Sequence, residues 1–140
     1  MIALRRGITL SPIDRAAILN EIKTRLPYPE VRGALERLRR AGFRLASLTN
    51  STFGVAMAQL THAELVDLFE NILSADGIHR LKPAPEPFLY AAKMMGVEAG
   101  QVRLIAAHAW DIAGALNAGC AAFVARPGMA RFPPSTHDLT

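Results

Sequence analysis

The alternation of apolar and polar positions is most informative between Val102 and Gly119. Apolar residues fill the run from Val102 to Ala107 almost without a break, the pattern of a parallel strand covered on both faces. The run stops at His108-Ala109-Trp110-Asp111 and continues as an Ala-rich helical stretch, which Gly119 closes as a left-handed cap. Asp111 thus falls in the first turn of a helix, just past the carboxyl end of a strand. Open α/β sheets place ligands outside those ends, so Asp111 marks where chemistry is expected.

The same reading extends along the chain. Ser11-Pro12-Ile13-Asp14 is a helix start: serine caps, proline takes the first helical position, and the acid three residues on reaches back. Leu19, Ile22 and Leu26 follow at helical spacing. Pro27-Tyr28-Pro29 breaks this helix and starts another, which runs through Leu35 and Leu38 to Gly42 with Glu36 and Arg40 four apart on its outer face. Phe43 to Thr49 reads as a strand, Phe53 to Leu60 and Ala63 to Phe69 as helical, and Asn71 to Ala75 as a short strand before the turn signal Asp76-Gly77. Lys82 precedes Pro83, Pro85 and Pro87, whose fixed φ stiffens a loop and launches a helix over Phe88 to Met95. Ala121 to Ala125 is the last strand. Beyond Arg126-Pro127-Gly128 the pattern fades, and a mobile tail is expected. Strands alternating with helices predict a parallel sheet with helices on both faces.

Composition narrows the class. With 140 residues, 51% apolar and 20% charged, the chain suits one globular domain. No apolar run approaches the roughly 20 residues of a membrane span. The opening Met1-Ile2-Ala3-Leu4-Arg5-Arg6 lacks the order of a signal peptide, and the lone Cys120 fits a reducing compartment, so a cytoplasmic location is expected. The net charge of +4 is mild. Arg32, Arg37, Arg39 and Arg40 share a helix whose Val31, Leu35 and Leu38 form the buried stripe. They read as a solvated outer face rather than a nucleic-acid surface, which needs denser basic clustering.

Three strand ends carry polar groups: Thr49, Asn50 and Ser51 after the first, Lys82 after the second, His108 and Asp111 after the third. In a parallel sheet these ends share one edge. Hydroxyl, amide and backbone N–H groups at a helix start bind anions. A lysine holds a neighbouring carboxylate ionised, and an aspartate opposite holds that lysine or orients a water. Taken singly, each has a plainer reading. Thr49 and Asn50 are ordinary helix caps, Lys82 a surface lysine, and Asp111 a first-turn acid favoured by the helix dipole. His108 caps a loop, Trp110 packs, and Cys120 belongs to the core. His62, His79 and His137 show no metal-ligand spacing.

The order of these groups resembles the haloacid dehalogenase (HAD) superfamily, and in detail its type II 2-haloacid dehalogenase branch. Leu48-Thr49-Asn50-Ser51, Lys82-Pro83 and His108-Ala109-Trp110-Asp111 leading to Gly119 carry the likeness, with Leu26-Pro27-Tyr28-Pro29-Glu30-Val31 ahead of them. The resemblance covers about Leu10 to Gly128. It implies a HAD-like, Rossmann-like α/β fold: a parallel sheet with helices on both faces, with the first strand and most of a helical cap absent. Residues 1–26 correspond to a remnant of the cap, 27–128 to a partial core and 129–140 to a tail.

In that family an aspartate attacks the halogen-bearing carbon of a small 2-haloacid and displaces halide. Water then hydrolyses the ester to the inverted 2-hydroxy acid. Transferred residue by residue, Thr49 and Asn50 would bind the substrate carboxylate or the nucleophile's surroundings. Lys82 would stabilise the nucleophile, and Asp111 would hold Lys82 and position the hydrolytic water. His108 and Trp110 would complete the substrate surroundings, with His108 standing where better-known members carry asparagine. No metal or other cofactor is implied. The phosphatase branch is the rival, but it needs Mg²⁺ held partly by an acid four residues before Asp111. That position is Ala107, which cannot ligate a hard cation.

The likeness has gaps. The family's nucleophile follows an apolar run as Asp-x-[Tyr/Asp]-Gly-Thr, and nothing here matches; Asp14, Asp67 and Asp76 lie in other contexts. The cap's substrate-binding arginine has no counterpart, Phe88 stands where members often carry a site tyrosine, and Ala106 where they often carry serine. The missing strand would lie between those ending at Thr49 and Ala107, leaving a gap of roughly 9–10 Å with unpaired backbone groups on each side. Three outcomes are open: the flanking strands close up, another chain supplies a strand, or a missing N-terminal half completes the sheet. The expectation is a chain inactive alone, a homo-oligomer or the partner of that missing half.

Overall fold

The computed structural model describes residues 9–125. The start at Met1 to Arg6, His137 and the tail expected beyond Arg126-Pro127-Gly128 lie outside the described residues. The elements in order are α1 (Pro12–Lys23), α2 (Val31–Arg40), β1 (Ala46–Thr49), α3 (Phe53–His62), β2 (Asn71–Ser74), α4 (Pro85–Met95), β3 (Arg103–Ala106), α5 (Ala109–Asn117) and β4 (Ala121–Val124). Single 3-10 turns occupy Val66–Leu68, Asp76–Ile78 and Ala99–Gln101.

The predicted start of α1 is present in full. Ser11 Oγ accepts from the Asp14 N–H at 3.1 Å, the Ser11 N–H donates to Asp14 Oδ2 at 2.9 Å, and Pro12 fills the first turn. That hydrogen bonding holds the Asp14 carboxyl below its usual pKa. The apolar spacing over Leu19, Ile22 and Leu26 does not translate into burial: α1 buries no residue, Leu26 lies past its end, and Ile13 is 80% exposed. In α2, Glu36 pairs with Arg32 at 3.0 Å rather than with Arg40, and Arg39 donates to the Asp67 carbonyl at 3.0 Å. The second helical stretch expected over Ala63 to Phe69 is only the 3-10 turn, because Glu64 takes a left-handed φ of 55° that ends α3. The helix expected from Phe88 begins at Pro85, so two of the three prolines sit in its first turn.

Every strand pairing is parallel, as predicted. The sheet, however, is in two halves: among the described residues β1 pairs only with β2, and β3 only with β4. The flanking strands have not closed up. In the first half Leu73 and Ser74 are both buried; as neighbours on a strand they face opposite sides, and α3 and α4 cover those sides. The second half departs from expectation. Along β3 burial alternates, and Ile105 is 49% exposed. α5 covers one face of β3 and β4, and among the described residues no element covers the other, where a strand covered on both faces was expected.

One cluster joins the halves. Phe88 of α4, Ala115 of α5 and Cys120 are buried together, with Leu48 of β1 and Leu104 of β3 packed against them. Burial pushes the Cys120 thiol pKa up, in keeping with its core reading. α4 and α5 approach closely because Gly114 has no side chain. A Cβ there would lie 2.6 Å from the Pro83 carbonyl and 2.9 Å from the Phe88 ring. No helix among the described residues is long and apolar enough to cross a membrane.

Candidate active site

The loop between β2 and α4 delivers Lys82 to the carboxyl rim of the sheet. Its backbone is held by Asn50 on the loop after β1. The Lys82 N–H donates to Asn50 Oδ1 at 2.8 Å, and Asn50 Nδ2 donates to the Lys82 carbonyl at 3.1 Å. Asn50 therefore works as a two-way clamp between strand ends. It does not cap α3, and neither does Thr49: that role falls to Thr52, whose hydroxyl accepts from the Val55 N–H at 3.4 Å. Thr49 Oγ1 instead accepts from the Ser51 N–H at 3.1 Å.

The Lys82 side chain reaches two partners. Nζ donates to Asp111 Oδ2 at 2.8 Å and to the Leu48 carbonyl at 3.0 Å. Both side chains of the Lys82–Asp111 pair are only 8% exposed. Desolvating two charges is costly, and their attraction offsets that only with good geometry and further hydrogen bonds. The lysine meets that condition and the aspartate does so in part, since Asp111 Oδ1 is buried without a partner among the described residues. Lys82 carries three N–H donors, two of which are used.

Trp110 stands beside the pair, its ring centroid 5.8 Å from Lys82 Nζ, within the range of a cation–π attraction. His108 stacks on that indole, with ring centroids 5.6 Å apart and an interplanar angle of 30°. His108 occupies the cap position of α5, but its side chain makes no capping bond.

The structure thus brings all six predicted residues, Thr49, Asn50, Lys82, His108, Trp110 and Asp111, to one rim. Two participants were not anticipated. Ser74, buried at the end of β2, donates to the Ser51 carbonyl at 2.7 Å and fixes the loop that carries Asn50; a serine closing an apolar strand was its only signal. The Leu48 carbonyl as a lysine acceptor is a backbone role that no side-chain pattern announces.

The arrangement offers an ammonium with an unused donor, a buried carboxylate oxygen with unused acceptor capacity, and an aromatic wall. Asp111 Oδ2 is engaged by Lys82, position 107 is alanine, and no group of three or more His, Cys, Asp or Glu among the described residues is placed to hold a metal ion.

Comparison with known proteins gives a consistent result. Residues 4–119 match the family described as haloacid dehalogenase-like hydrolase. The plasmid phosphoglycolate phosphatase of Cupriavidus necator is 36% identical over 74% of this chain and 45% of its own length. (S)-2-haloacid dehalogenase 2 of Pseudomonas sp. (strain CBS-3) is 33% identical over 81% of this chain and 49% of its own. The L-2-haloacid dehalogenase of Xanthobacter autotrophicus, solved with chloropropionic acid covalently bound, superposes with a TM-score of 0.77 at 24% identity, covering 84% of this chain and 47% of that one. At that identity the likeness speaks for the fold. The chain spans about half the length of the relatives it matches.

Proposed function

The chain belongs to the haloacid dehalogenase-like hydrolase family, and on that premise we propose that it carries the lysine–aspartate half of a metal-independent 2-haloacid dehalogenase site. The observation that carries this reading is the buried Lys82–Asp111 pair beside Trp110, with one lysine donor and one carboxylate oxygen left over. The spare N–H of Lys82 binds the carboxylate of a small 2-haloacid, or of the aspartyl nucleophile that attacks it. Asp111 holds Lys82 in place and helps to position the water that cleaves the ester. Trp110 and His108 wall the substrate, and Thr49 and Asn50 shape the anion end of the pocket.

Among the described residues Asp111 is the only carboxylate bound to Lys82 at this rim, and it is spent on that pair, which leaves the nucleophile's role unfilled there. The 140-residue chain alone is therefore inactive in this reading. A phosphatase of the same superfamily is the second reading, favoured by the identity to the Cupriavidus enzyme. Ala107 and the committed Asp111 weigh against it, since a Mg²⁺ site needs several oxygen ligands.

Trp110 is the only tryptophan in the chain, so its fluorescence reports directly on the site. L-2-chloropropionate is expected to change that fluorescence saturably, without Mg²⁺, and the response should vanish in Lys82→Met. Tighter, Mg²⁺-dependent binding of phosphoglycolate would overturn the dehalogenase reading. Chloride release by the lone chain, abolished by Asp111→Ala, would overturn its inactivity.

A further inference from the structure

The turn between β1 and α3 carries the clamp on Lys82, yet among the described residues no backbone–backbone hydrogen bond reaches Asn50 or Ser51. Side chains hold the turn instead. The Ser51 N–H donates to Thr49 Oγ1 at 3.1 Å, and the Ser51 carbonyl accepts from Ser74 Oγ at 2.7 Å. Ser74 reaches across from the neighbouring strand, where it stands in register with Thr49. It is only 8% exposed, and a buried hydroxyl costs stability unless it is hydrogen-bonded. Its bond goes to a turn carbonyl and not to a group of its own sheet. With both backbone groups of Ser51 held, the planar peptides on either side of it are fixed. The side chain of Asn50 is thereby aimed at Lys82.

We infer that Ser74 is a positioning residue for the Lys82 ammonium, acting through Ser51 and Asn50. Asn50 holds both backbone groups of Lys82, at 2.8 and 3.1 Å, so a turn of its amide moves the root of the lysine. The far end of that side chain has little room to adapt. Nζ already donates to the Leu48 carbonyl at 3.0 Å and to Asp111 Oδ2 at 2.8 Å, and the side chain is 8% exposed. Hydrogen bonds weaken steeply once donor and acceptor are misaligned, so a small movement of the root is felt at the ammonium. The strand itself does not need the hydroxyl. β2 pairs with β1 through backbone groups, and serine is not among the residues that strands favour. The placement of Lys82 follows from these bonds whatever the site binds; the consequence for a bound 2-haloacid rests on the dehalogenase reading.

The test compares Ser74→Ala, which removes the hydroxyl, with Ser74→Thr, which keeps it, in the 140-residue chain. Hydrogen exchange at the Lys82 amide is expected to quicken about tenfold in Ser74→Ala, the worth of one hydrogen bond, while the amides of the β1–β2 ladder keep their rates. The emission of Trp110, whose ring lies 5.8 Å from Lys82 Nζ, should move toward that of Lys82→Met. Ser74→Thr should restore both. In Asn50→Ala, adding Ser74→Ala should change neither further, because the route is already cut. L-2-chloropropionate, followed by the same emission, should bind about threefold to tenfold more weakly to Ser74→Ala. Exchange that quickens along β1 and β2, with Lys82 no faster than its neighbours, would overturn the proposal. So would an unchanged Trp110 emission, or effects of Ser74→Ala and Asn50→Ala that add. No response of the unaltered chain to L-2-chloropropionate would sink the dehalogenase reading alone, with exchange and emission still deciding the role of Ser74. Should Ser74→Ala not fold, Ser74→Cys, a weaker donor, takes its place and should shift both readouts in the same direction by less.

Discussion

Lys82 and Asp111 illustrate how far single residues can be read. Taken singly each had a plainer reading, and what made them legible was their order after successive strands of a parallel sheet, whose carboxyl ends share one rim. Thr49, Asn50, Ser51 and Thr52 show the opposite case. All four can cap a helix, and only the path of the backbone selects Thr52. Glu36 likewise had an arginine at four residues in either direction, and the choice of Arg32 rests on the neighbouring Asp67, which Arg32 also contacts at 3.3 Å. Removing one member of the buried pair leaves the other charge unpaired. Lys82→Met and Asp111→Leu are each expected to cost about 3–5 kcal/mol, with the double variant closer to the unaltered chain than either single one. Urea denaturation of the four proteins measures this, and additive losses would show that the two side chains do not depend on each other.

At the scale of elements, periodicity found the helices and strands of the described residues, added a helix over Ala63 to Phe69 that is only a 3-10 turn, and misjudged edges and burial. The first strand was read from Phe43 because Phe43-Arg44-Leu45 is mostly apolar, yet pairing begins at Ala46. Arg44 turns outward instead, to Glu70 at 2.6 Å and to the Met95 carbonyl at 2.8 Å. α1 has helical spacing without burial, since spacing says which residues share a face and not whether anything covers it. Glycines inside helices separate two situations. Gly114→Ala places a Cβ against the Pro83 backbone and is expected to destabilise by about 1–3 kcal/mol, the usual cost of overpacking. Gly54→Ala, in α3 with open space around it, should instead stabilise by about 0.5–1 kcal/mol. Thermal melts of the two variants check the contrast, and a shift of both in the same direction would refute it.

Over the whole molecule, the parallel α/β class was legible from the order of strands and helices, while the division of the sheet was legible only as a gap to be closed in one of several ways. Sequence pattern describes each strand's own faces and carries little about its edges. Those edges, with Ile13, Leu26, Ile105, Phe123 and Val124 exposed, predict a chain that associates with itself, since open edges and apolar patches invite contact. Sedimentation velocity should show a coefficient that rises with concentration and falls back in Ile105→Lys combined with Phe123→Lys. A monodisperse monomer at all concentrations would contradict this. The seat at Gly114 has a wider consequence. Pro83 follows Lys82 directly, and Gly114 lies one turn along from Asp111 on the same helix. The two charges are therefore mounted on either side of a single close backbone contact, and any substitution that widens that contact is expected to lengthen the ion pair as well.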